Sequence, residues 1–159
     1  MAAAGTRFRG TALTAALTAI AIAGCGSSAP SLSAFKSGFE TDRAQFRKLG
    51  QDLEATIGDA KNKTDAQLAR ELEPLATRAN HQGAQLAKLK PPASYKTNLD
   101  KLITGFDAMA VDLKRIATAA TQNNAQAASA ATRALVADAT TVKAADLAIA
   151  DVLAGRKSS

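Results

Sequence analysis

One cysteine, one histidine and no tryptophan are found in the 159 residues of this chain. A lone cysteine excludes a disulfide within the chain and the Cys-x-x-Cys-His arrangement that attaches haem, so Cys25 needs another explanation. The lone histidine, His81, has Arg78 three residues before it where a di-iron helical bundle would carry glutamate. Aromatic residues make up 4% of the chain and do not alternate with basic ones, which argues against a stacking platform for nucleic acid. Neither a Gly-x-Ser-x-Gly elbow nor a glycine-rich phosphate cradle occurs. No stretch alternates β-branched with polar residues, so strands are not expected. Glu71, Glu73, Asp107 and Asp112 fall on the polar faces of predicted helices, where solvated charge is the expectation rather than paired-acid catalysis. The chain is therefore expected to bind rather than catalyse, with no metal, no cofactor and no nucleic acid.

What the chain does have is alanine, with few glycines or prolines inside its periodic stretches, and this favours closely packed helices. Of its 20 basic side chains, Arg7 and Arg9 lie in the segment expected to be removed, which leaves 18 against 14 acidic ones and lowers the balance from +6 to +4. That mild excess suits a position near anionic lipid or wall polymer, but plain solubility is the first reading.

The N-terminal stretch is read as a signal. Arg7 and Arg9 form a positive start, and Ala12 to Ala23 is an apolar run shorter than the ~20 residues a spanning helix needs. The run ends Ile22-Ala23-Gly24-Cys25, which resembles the bacterial lipobox, with isoleucine where leucine is commoner. That resemblance implies a diacylglyceryl group on Cys25 and cleavage between Gly24 and Cys25. Ordinary secretion is the alternative, because Ala21-Ile22-Ala23 is itself a small-residue cleavage signal. Residues 1–24 are then the signal peptide, 25–30 the lipidated cysteine and a polar tether, 31–155 the folded domain and 156–159 a tail.

Apolar residues recur at three-and-four spacing through the rest of the chain and predict helices over 31–61, 64–89, 94–122 and 125–154. The seams run Leu32, Phe35, Phe39, Phe46, Leu49, Leu53, Ile57 in the first helix and Leu68, Leu72, Leu75, Ala79, Leu86, Leu89 in the second. The third carries Tyr95, Leu99, Leu102, Phe106, Met109, Leu113, Ile116 and Ala120, and the fourth Ala128, Ala131, Leu135, Val142, Ala145, Ile149 and Val152. Ser31 or Ser33, Thr64 and Ser94 are the expected N-caps. Pro74 either kinks the second helix or divides it in two. Short connections predict an all-α, up-down-up-down antiparallel four-helix bundle.

The first seam is interrupted at Asp42-Arg43 and the second at Gln82-Gly83. Folding the hairpin about Lys61 to Thr64 brings these together, and Lys143 and Asp146 of the fourth helix reach a similar height. Asp42, Arg43, Gln82, Lys143 and Asp146 are thus a candidate polar layer inside the bundle. The alternative is a small roll of the helices that keeps them in water. A buried layer must be mutually paired, and removing Asp42 from one is expected to cost several kcal/mol, about 3–5.

The lipobox, the alanine-rich helical body and the turn Leu86-Ala87-Lys88-Leu89-Lys90-Pro91-Pro92 resemble small lipoproteins of high-GC Gram-positive bacteria. The resemblance implies an address, the outer face of the cytoplasmic membrane, reached through the lipid on Cys25. The expected role is a non-catalytic binding or scaffold bundle that meets another envelope protein or wall polymer. The alternative is a carrier or sensor of a small ligand held between the helices.

Overall fold

The computed structural model describes residues 31–156. Among them are four α-helices, one short 3₁₀ turn and no strand. The helices are α1 (Leu32–Gly58), α2 (Asp65–Leu86), α3 (Ala93–Thr121) and α4 (Ala125–Leu153), packed against one another, with the 3₁₀ turn Ala60–Asn62 after α1. Cys25, Gly24 and the segment expected to be a signal peptide lie outside the described residues. No helix among the described residues is long and apolar enough to cross a membrane.

Local chemistry accounts for most helix ends. The Ser31 hydroxyl accepts the Ala34 N–H at 3.1 Å and starts α1. Thr64 and Gln67 form a reciprocal capping box at the start of α2, and the Asn124 side chain accepts the Ala127 N–H at 3.0 Å to start α4. Ser94 is not a cap, contrary to its expected role. The extended backbone of Pro92 (ψ 156°) starts α3 directly, so Ser94 falls within the first turn. Asn123 (φ 52°) and Gly155 (φ 70°) take left-handed conformations just past α3 and α4.

Two helices end three residues earlier than expected, α1 at Gly58 and α2 at Leu86. The i→i+3 bonds Lys88 N–H to Gln85 O and Leu89 N–H to Leu86 O tighten the chain after Leu86, ahead of Pro91. α1 stops at Gly58 and the 3₁₀ turn takes over. Pro74 does not divide α2, which runs unbroken past it. Pro74 and Arg70 are both exposed, so the Arg70 carbonyl that lacks a donor can bond to water.

The core is one contiguous cluster drawn from all four helices. Every aromatic residue described belongs to a single run through it. Phe35 lies 5.9 Å from Phe39 and 5.0 Å from Tyr95, Phe39 lies 6.3 Å from Phe46, and Phe46 lies 5.4 Å from Phe106, all between ring centroids. Each such pair adds roughly 0.5–1.5 kcal/mol beyond simple burial. The seam ends are the exceptions, since Leu32 and Ile57 are exposed.

Small residues determine how closely the helices approach. α3 packs tightly on both α2 and α4. A Cβ added to Gly105 would stand 2.6 Å from Cγ2 of Val142, so only glycine allows that approach of α3 to α4. α1 instead presents phenylalanine and leucine and stands farther off.

Candidate functional site

The wider spacing of α1 leaves a groove of about 620 Å³ between its C-terminal half and the middle of α4. The α1 wall carries Leu49, Gly50, Leu53 and Ile57; the α4 wall carries Leu135, Ala139 and Val142. Phe106 and Met109 of α3 line it between them. The gap has a cause in the sequence. Gly50 has no side chain, Ala139 has one methyl group, and a Cβ built on Gly50 would meet nothing within 4 Å. Charged side chains occur only at the margins: Arg47, Glu54, Lys143 and Asp146.

One end of the groove is closed by an ion pair. Asp146 is buried, and its two carboxylate oxygens face Arg43 of α1. Nη2 of Arg43 donates to Oδ2 at 2.9 Å, while Nε lies 2.7 Å from Oδ1, an ionic contact without hydrogen-bond alignment. The two side chains are only 22% and 12% exposed, so each charge depends on the other.

The five residues of the candidate polar layer fall into separate places. Arg43 and Asp146 join α1 to α4. Gln82 is buried on α2 and its side-chain amide donates to the Asp42 backbone carbonyl at 3.4 Å, joining α1 to α2. Burial pushes the Asp42 carboxyl above its ordinary pKa, opposed by the nearby Gln82 amide and by the charges of His81 and Lys88. Lys143 is exposed at the groove rim and has no ion-pair partner among the described residues. Of these five, Asp146 carries the carboxylate buried against an opposite charge, so the large energetic role reasoned for Asp42 passes to it.

A second polar feature was missed from sequence. Asp112, expected on a polar face, is buried on α3 and accepts from Arg115 Nη1 at 3.2 Å. It also meets the partly buried Asp138 of α4. Burial first, then a hydrogen bond to Asp112 and repulsion from its charge, push the Asp138 carboxyl above the ordinary carboxylate range. The signal was a jump of seven residues in the α4 seam, from Leu135 to Val142, which leaves Asp138 beside Ala139 at a seam position.

The sign of the pH effect follows. With its folded pKa raised, Asp138 holds a proton more firmly in the folded than in the unfolded chain. It weakens the fold above the folded value, and that penalty fades as pH falls towards the unfolded value. Asp138→Asn is expected to raise the melting temperature at pH 7 by roughly 2–4 °C, the effect of about half to one kcal/mol in a domain of this size. The gain over the native chain should shrink as thermal melts are repeated at decreasing pH down to 4. A variant that melts lower at pH 7 would contradict the assignment.

His81 is exposed, with Nε2 2.9 Å from the Gln85 amide nitrogen. No cluster of three or more potential metal ligands occurs among the described residues. Comparison with protein-family models, curated proteins and solved structures finds no match to this chain.

Proposed function

We propose that this chain is a lipid-anchored binding protein of the cell envelope, held on the outer face of the cytoplasmic membrane through Cys25. Its body is an up-down-up-down antiparallel bundle that holds an apolar ligand between α1 and α4 and performs no chemistry on it. The observation that carries this reading is the groove itself. Its volume of about 620 Å³ falls within the ~300–1,000 Å³ of small-molecule sites, and its walls are apolar with charge only at the margins.

The antiparallel order is supported by contact pairs. Asp42 meets Gln82 and Asp52 meets Arg78, so positions on α2 fall as those on α1 rise. Phe35 meets Tyr95 and Phe46 meets Phe106, so positions on α1 and α3 rise together. The address is supported by Arg7, Arg9, the run Ala12 to Ala23 and the sequence Ile22-Ala23-Gly24-Cys25. The residues between Cys25 and α1 reach only about 20 Å when extended, which keeps the bundle near the membrane.

A second reading, docking of an envelope protein or wall polymer, is favoured by Val111. It is 47% exposed beside a shallow depression formed with Ala127, Ala130 and Ala134.

Native mass spectrometry of the full-length protein, extracted gently from its own membranes, tests both halves of the proposal. The expected result is a diacylglyceryl mass on a chain that starts at Cys25, with an apolar molecule retained non-covalently. An unmodified chain starting near Gly24 would overturn the address. A lipid-bearing chain with nothing retained would favour the docking reading.

A further inference from the structure

We infer that the groove between α1 and α4 takes a single acyl chain with an anionic head, carboxylate or phosphate, seated between Arg47 and Lys143. This rests on the reading of the groove as a ligand site and names the ligand's class and direction.

Length is the first argument. The α1 wall runs from Phe46 to Gly58, about 18 Å at the helical rise of ~1.5 Å per residue. The hydrocarbon core of a bilayer is about 30 Å thick, so an acyl chain filling one leaflet spans about 15 Å. The groove is therefore long enough to hold one such chain lengthwise. Gly50 sits one third of the way along this wall from Phe46, where the space beside its backbone is open.

Charge gives the direction. Arg47 and Lys143 stand on opposite rims, α1 and α4, each one turn in sequence from the Arg43–Asp146 pair. Both are exposed, and neither has an ion-pair partner among the described residues. The nearby Asp146 is neutralised by Arg43 at 2.7 Å, so it opposes an incoming anion only weakly. Glu54 lies two helical turns along α1 from Arg47, towards the other end, and disfavours an anion there. A carboxylate or phosphate between two free cations forms charge-assisted hydrogen bonds, whereas a neutral head gains little from them.

Binding is measured by calorimetry on the full chain carrying Cys25→Ser, so that no lipid of its own competes. The probes are palmitate, hexadecyl phosphate and hexadecanol, each below its aggregation concentration. Palmitate and hexadecyl phosphate are expected to bind at least tenfold more tightly than hexadecanol. Whichever anion binds better identifies the source, a free fatty acid or a lipid phosphate. Arg47→Glu with Lys143→Glu should abolish the preference and leave hexadecanol binding unchanged. Gly50→Leu, which puts a side chain into the open space, should reduce binding of all three at least tenfold. Its melting temperature should equal or exceed that of the parent, because leucine is the better helix former. Equal binding of all three probes, still blocked by Gly50→Leu, would overturn the anionic head and leave the groove as a ligand site. Absence of binding, or binding that Gly50→Leu does not affect, would overturn both.

Discussion

Asp146→Ala is expected to destabilise the fold by about 3 kcal/mol, the lower end of the range for breaking a buried ion pair. The substitution removes both contacts to Arg43 and leaves a guanidinium whose side chain is only 22% exposed without its counter-charge. The residual exposure is what keeps the cost from the upper end, since water can partly solvate the stranded charge. Most of the cost is the price of the unpaired cation rather than the worth of the pair. Arg43→Met combined with Asp146→Leu should therefore recover stability to within about 1 kcal/mol of the native chain. Asp42→Ala, by contrast, should cost no more than about 1 kcal/mol, because the Asp42 contact to Gln82 runs through the backbone carbonyl, which alanine retains. Urea unfolding of the four proteins measures all of this. An Asp146→Ala midpoint equal to the native one would mean that the pair is solvated and does not close the groove.

Much of the core was legible because α3 and α4 follow their spacing closely. The α3 seam is buried from Tyr95 to Ala120, and Leu135, Val142, Ala145 and Ile149 are buried on α4. Caps with a side-chain acceptor, Ser31 and Thr64, were legible for the same local reason. Ser94 was not, because Pro91-Pro92 fixes the start of α3 through backbone dihedrals rather than a hydroxyl. The groove was illegible because a seam records which residues face inwards and not how far apart two helices stand. The gap needs large α1 residues to hold the helices apart and small ones, Gly50 and Ala139, to leave the space unfilled, and these lie on different helices far apart in sequence. The interruption at Asp42-Arg43 was visible, but which of the two residues is paired depends on the rotation of α1, a matter of tertiary packing. Asp112 fits a polar face by spacing and is nonetheless buried, because α4 lies close enough to cover the flank of the α3 seam.

Phe106→Ala is expected to destabilise the fold by about 3–5 kcal/mol, the largest effect of any substitution considered. The ring is 2% exposed, packs tilted against Phe46 with centroids 5.4 Å apart, and belongs both to the core cluster and to the groove lining. Deleting it removes the transfer energy of the ring, one aromatic pair and the packing of Met109 and Leu102 on either side. The void it leaves joins the groove instead of forming a closed cavity. This sets Phe106 apart from Leu102, which is fully buried and does not line the groove. A ligand that binds only the folded chain stabilises it by mass action, and more so where it also fills a void. A saturating acyl ligand should therefore raise the unfolding midpoint of Phe106→Ala by more than it raises that of the native chain. The same ligand should raise the midpoint of Leu102→Ala only by the native increment, because the cavity there is out of reach. Urea unfolding with and without ligand makes the comparison. Equal increments in all three proteins would mean that the ligand does not lie against Phe106, and the groove would have to be abandoned as its seat.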